Sequence, residues 1–184
     1  MSPTRSFVMA LLTVAATALP AAAQPLSAPA TGPLIADFGA VYAVGSPDFA
    51  TPNGPFKVVF EVALGAPEPD QLNARLETVA RYLNMHAQAG VAAQDMELAL
   101  VVHGSAGKDL LGHAGFRARH GVDNPNYEMI QQLIEAGVEV VLCGQTQVHR
   151  GLRREQLAPG VKVALSAMTA LVTLQSRGYQ LIAF

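Results

Sequence analysis

The chain has 184 residues, 51% of them hydrophobic and 14% charged, which is enough for one sizeable core and too little for two ordinary domains. Its 12 Lys and Arg against 14 Asp and Glu give a net charge of −2, so no cationic excess is available to follow a phosphate backbone, and a nucleic-acid partner is not expected.

At the start, Arg5 precedes an apolar run from Phe7 to Leu19, and Pro20-Ala21-Ala22-Ala23-Gln24 follows. A basic lead, a short apolar stretch and a small-residue site form the pattern of a secretory signal peptide, assigned to 1–23 with cleavage after Ala23. The apolar run falls short of the roughly 20 residues that a resident membrane helix needs. The mature chain is therefore expected off the membrane and, in a Gram-negative source, in the periplasm.

Residues 24–55 are rich in Pro, Gly, Ala and Ser, with apolar stretches at Leu34–Phe38 and Val41–Val44 but no helical period. They read as an N-terminal arm with room for one short hairpin, docked on its own domain or on a neighbouring subunit. Residues 56–184 read as one α/β domain. Phe56–Leu64 is β-branched and aromatic, a strand. Asp70 is placed to cap a helix whose Leu72, Leu76, Val79, Leu83 and Ala87 keep the 3.6 period up to Gly90. Met96–His103 is a nearly unbroken apolar strand, suited to burial on both faces of a sheet.

From Gly104 to Asp123 the pattern predicts a loop with one or two helical turns, the kind of segment in which sites are built. Asn124-Pro125 opens a helix carrying Tyr127, Ile130, Leu133 and Ile134 on one face. Val138–Cys143 is a further strand, followed by a helical turn around Val148–Leu152, a strand at Val161–Leu165, a helix at Met168–Arg177 and a last strand at Tyr179–Phe184. Alternating strands and helices predict an α/β fold, with helices on both faces of a mostly parallel sheet of about five strands. Strand order is not encoded in this pattern.

Ligands of open α/β sheets bind beyond the carboxyl ends of the strands. Two such ends carry reactive side chains, His103-Gly104 and Cys143-Gly144. Cys143 is the only cysteine, so an intramolecular disulfide is impossible, and the thiol is buried and inert, paired between chains, or reactive. Thr146 is a candidate N-cap for the turn that follows, and a thiol facing a helix N-terminus near His149 and Arg150 would have its thiolate favoured. The competing reading makes Cys143 a small buried hydrophobe closing an apolar strand. His103 invites a role as the base beside the thiol, against the plainer reading of a strand-end imidazole bonded to loop backbone. Lys108, His113, Arg117, Arg119 and His120 offer a cationic rim or simply a solvated loop.

Gly104-Ser105-Ala106-Gly107-Lys108 fails as a phosphate loop, because Val102 stands where the first Gly belongs and Asp109 follows the Lys. His103-Gly104-Ser105-Ala106-Gly107 lacks the first Gly of a nucleophile elbow. No His pair has the helical spacing of a metal site with a Glu between; neither a metal nor a cofactor is expected.

The segment from Val101 to Gly178 resembles DsrE-like proteins in which a strand ends in Cys-Gly and an Arg-Gly follows. The residues that carry the likeness are Val140-Val141-Leu142-Cys143-Gly144 and Arg150-Gly151, with Val101-Val102-His103-Gly104, Asn124-Pro125, Gly137-Val138 and Pro159–Val163 in support. The resemblance implies a three-layer αβα domain that assembles into trimers or hexamers, some members relaying sulfur on a strand-end cysteine. Carried onto this chain, that role falls on Cys143 alone; the residues around it then read as His103 beside the thiol in catalysis and Gly104, Gly144, Thr146 and Arg150 at the ligand-binding edge, with His103 and Arg150 as electrostatic partners. The implied partner is a small sulfur species or a sulfur-donor protein. Where some relatives have a second cysteine three residues on, this chain has Thr146, which removes a dithiol cycle within one chain. The alternative is an oligomeric binding or structural module in which Cys143 only packs.

Overall fold

Five short apolar segments pair side by side in a computed structural model that describes residues 28–49 and 54–183. The expected signal segment 1–23 lies outside the described residues. Strands β1 (Phe56–Val62), β2 (Met96–Val102), β3 (Glu139–Cys143), β4 (Lys162–Ala164) and β5 (Gln180–Ala183) form one sheet in the order β4-β3-β2-β1-β5. Every pairing is parallel, so the expected mostly parallel sheet is parallel throughout the described residues. The register runs Val62 against Val102 and Val102 against Leu142, which aligns the carboxyl ends of the three central strands.

The helices are α1 (Ala74–Gln88), α2 (His113–His120), α3 (Tyr127–Glu135), α4 (Gly144–His149) and α5 (Ala167–Ser176). From β1 to β3 the chain steps across the sheet in one direction, and right-handed crossovers then place the intervening helices on one face. Alternate strand residues Val58, Phe60, Val62, Leu98, Leu100, Val102, Val140 and Leu142 pack there with Leu76, Val79, Ile130 and Leu133 of α1 and α3. From β4 the chain must return past the whole sheet to reach β5, and the same handedness puts α5 on the opposite face. There Val59, Ala99, Val101, Val141 and Cys143 meet Ala167 and Leu174. The three layers expected from the sequence are present, with a single helix as the third.

The segment predicted as a loop is more ordered than its glycines suggest. Gly104–Leu110 is a 3₁₀ helix and His113–His120 a full α-helix, anchored by buried Ala106, Leu110, Leu111 and Phe116. Asp109 in this segment is wholly buried. Its carboxylate accepts from Asn73 Nδ2 at 2.7 Å and from Lys108 Nζ at 2.7 Å, while Asn124 Nδ2 donates to the Asp109 carbonyl at 2.8 Å. Asn73, not Asp70, caps α1: its Oδ1 accepts from the Arg75 N–H at 3.0 Å. The choice is tertiary, because the same amide also donates to Leu64 and Asp109.

The arm docks on its own domain. A single antiparallel bridge, Ala30 to Val41, stands where a hairpin was expected. Buried Asn84 of α1 accepts from the Ile35 N–H at 2.9 Å and donates to the carbonyls of Ile35 at 2.9 Å and Phe38 at 3.0 Å, while Ile35 is fully buried beneath it. Replacing Asn84 by Leu leaves those backbone groups unpaired unless the arm lifts into water. The expected result is faster proteolysis within 28–49 and a stability loss of about 2–3 kcal/mol, the scale of burying one Ile, in urea unfolding. The sheet itself, which the arm does not join, should survive.

Candidate functional site

Cys143 sits where two chain paths part. After β3 the chain turns back over the α1–α3 face, stitched there by Gly112 N–H to the Gln156 carbonyl at 2.8 Å and Ala158 N–H to the Leu110 carbonyl at 2.9 Å. After β4 it crosses to the other face as α5. Adjacent strands whose connections leave on opposite faces open a crevice at their carboxyl ends. Cys143 and Ala164 are the last pair of that β3–β4 ladder.

The expected helical turn at Val148–Leu152 begins earlier: α4 starts at Gly144, so Cys143 itself occupies the N-cap position and Thr146 lies in the first turn. The helix can start so abruptly because residue 144 has no side chain. A Cβ there would lie 2.5 Å from the Ala164 carbonyl oxygen. Thr146 is therefore not the cap, and its hydroxyl is free for another task.

Cys143 is 5% exposed. Burial pushes its pKa up, but the neighbouring donors, the backbone N–H groups of Thr146 and Ala167, the Thr146 hydroxyl and the Gln145 N–H, favour the anion, and the net result lies below the ordinary thiol value. The donors come from the first turns of both α4 and α5, whose aligned peptide dipoles add to the same effect. The Thr146 Oγ1 also accepts from the Gly104 N–H at 3.0 Å, so the hydroxyl links the end of β2 to the sulfur at the end of β3. Gly104 takes φ +58°, and a Cβ on it would meet the Ala63 carbonyl at 2.6 Å. Both strand-end glycines thus permit backbone approaches that a side chain would block.

The cationic partners expected for the thiol are elsewhere. Arg150 is the C-cap of α4, exposed and at the opposite end of that helix from Cys143. His149 shares that exposed end. The groups that act on the sulfur are all neutral donors. The loop cations do not gather into a rim either. Lys108 pairs with Asp109, Arg117 with Asp123, and Arg119 donates to the Arg150 and Gly151 carbonyls. His113 lies against Tyr127, and His120 lies against Phe116 with its pKa lowered first by burial and then by Lys108 and Arg119.

His103 does come to the site edge. It is one step past the Val102–Leu142 pair and so beside Cys143 in the parallel register. Its Nε2 bonds Glu61 of β1 and not loop backbone. Glu61 was unremarked in the sequence reading; the signal for it was a lone carboxylate in the otherwise apolar tail of a central strand. The N–H of Ala167 was missed as well, because a backbone donor 24 residues downstream of Cys143 has no sequence signature.

The sequence model of the DsrE/DsrF-like family matches residues 58–184. Among solved structures, a protein of unknown function, MTH1491 from Methanobacterium thermoautotrophicum, is similar at 19% identity with a TM-score of 0.52, covering 70% of this chain and 99% of that one. The ychN protein from E. coli is similar at 18% identity with a TM-score of 0.51, covering 70% of this chain and 100% of that one. At such identity the likeness concerns the fold. No curated protein matches.

Replacing Thr146 by Val removes one donor from the sulfur while nearly conserving volume, and Thr146→Ser restores the hydroxyl. The Val variant should alkylate at Cys143 about tenfold more slowly at neutral pH, equivalent to about 1.4 kcal/mol and near the low end for a hydrogen bond to a charged group. The Ser variant should stay near the parent rate. Iodoacetamide kinetics with peptide mass mapping read both.

Proposed function

The chain belongs to the DsrE/DsrF-like family, and on that premise we propose that it carries reduced sulfur as a persulfide on Cys143. The observation that carries this reading is one buried sulfur placed at the start of α4 and packed against the start of α5, where neutral donors favour its anion. A thiolate is the nucleophile in sulfur exchange. Attack on the outer sulfur of a donor persulfide, R–S–SH, forms a new S–S bond at Cys143 and breaks the donor's own. The leaving R–S⁻ takes up a proton as R–SH, and no net oxidation occurs. Delivery to an acceptor thiol is the same exchange in reverse.

The reading extends to compartment and assembly. The 1–23 pattern supports export and a mature periplasmic chain beginning at Gln24, where a sulfur-donor protein or a small sulfur species would have to meet it. The outer side of α5 supports self-association into a trimer or hexamer. Met168 and Val172, one helical turn apart, are 75% and 66% exposed, and Leu165 beside them is 74% exposed. A helix apolar on both sides is usually buried on both sides, and a second copy of the same face is the simplest cover.

After treatment with an organic persulfide, the intact mass should rise by about 32 Da, one sulfur atom, confined to Cys143 and absent in Cys143→Ser. The same measurement on exported protein should give a chain starting at Gln24. If the thiol only packs, the mass will not change, and alkylation will require denaturant. For assembly, light scattering should show a trimer or hexamer that falls to monomer in Met168→Glu/Val172→Glu; a monomeric parent protein would end the assembly proposal.

A further inference from the structure

We propose that Glu61 and His103 form a proton relay for Cys143, with His103 as the proton acceptor and donor and Glu61 as the positioning residue. This deepens the persulfide-carrier reading and rests on it. Glu61 follows Val59 by two residues and stands opposite Val101 in the register, while Cys143 follows Val141 by two. Val59, Val101, Val141 and Cys143 all pack on the α5 face of the sheet. Alternation therefore puts Glu61, His103 and Cys143 on that same face at the carboxyl edge, on or just past three adjacent strands. Neighbouring parallel strands run about 4.8 Å apart, within reach of an imidazole and a thiol directly or through one water.

The direction of the Glu61 contact sets the chemistry. A carboxylate only accepts, so the proton of the neutral ring is held on Nε2, and Nδ1 is left with its lone pair. Nδ1 has no hydrogen-bond partner among the described residues, and its position is not one of the buried unpartnered atoms. Cys143 is 5% exposed, so bulk water reaches its sulfur poorly and a neighbouring imidazole is the nearer proton acceptor. His103 takes the Cys143 proton as the sulfur attacks R–S–SH and returns it to the departing R–S⁻, so the proton balance closes within the exchange.

The titratable groups at this edge are Glu61 from β1, His103 after β2 and Cys143 from β3. β4 brings Lys162, but at its amino end and paired with Glu139, and α5 brings none. Lys108 is engaged by Asp109 against the start of α1.

The test compares the persulfide-transfer rate of Cys143, with cysteine persulfide as donor, in the parent protein, Glu61→Gln and His103→Gln, at neutral pH and near pH 10, about 1.5 units above an ordinary thiol. The relay predicts a loss of about 100-fold in His103→Gln, the lower range for acid–base catalysis, and about tenfold in Glu61→Gln at neutral pH. Near pH 10 hydroxide ionises the thiol and the three rates should converge. Equal losses at both pH values mean a structural role and overturn the relay, as does a parental rate at neutral pH in either variant. A parent protein that takes no sulfur fails the carrier reading instead. Nitrogen-15 NMR of His103 in the parent protein needs no variant: the neutral ring should carry its proton on Nε2, and the opposite tautomer overturns the relay.

Discussion

The strand-end architecture depends on a carboxylate with no exposure at all, Asp109. An unpaired buried charge of that kind is prohibitive, so the segments around it must supply partners. Asn73 at the start of α1 and the adjacent Lys108 donate to the carboxylate, while Asn124, in the lead-in to α3, holds the Asp109 backbone carbonyl. Asn126 extends the set by accepting from the Asn73 N–H at 2.8 Å. The 3₁₀ segment after β2 is thereby tied to two helix starts. Its first residue, Gly104, is consequently fixed where its N–H reaches Thr146. The cysteine environment is thus set, two steps removed, by the need to satisfy one charge.

That environment solves a conflict without a cation. Burial alone would hold the thiol protonated, and the sequence suggested His149 and Arg150 as the remedy. The structure instead brings backbone N–H groups from two first turns to one sulfur, which the opposed crossovers of β3 and β4 make possible. Neutral donors are already oriented by their helices, so they favour the anion without requiring a second buried charge to be desolvated.

Most of the fold was legible because its signals are local. The unbroken apolar run Met96–Val102 announced a central strand, and the 3.6 period in Leu76, Val79 and Leu83 announced α1. The family likeness, resting on Cys143-Gly144 and its neighbours, also held. What was not legible is non-local. Strand order has no signature in a single strand, and the helix His113–His120 hides behind two glycines because its stability comes from buried Phe116. Asn73 displaced Asp70 as cap because it also meets Asp109, which lies 36 residues away. Glu61 and His103 are 42 residues apart and meet only because β1 and β2 are in register. Arg150, close to Cys143 in sequence, stands at the far end of α4, and the groups that act on the sulfur come from the helix starts instead.

A single cysteine constrains what any sulfur bound here can do next. With no second thiol in the chain, a persulfide on Cys143 cannot be resolved as an internal disulfide, so its release requires an outside acceptor. A persulfide would carry its reactive outer sulfur about 2.05 Å beyond the inner one. The donors that favour the thiolate would also favour the inner sulfur as the leaving group when an acceptor attacks the outer one. One arrangement of donors would thus serve both loading, by stabilising the attacking thiolate, and unloading, by stabilising the departing one.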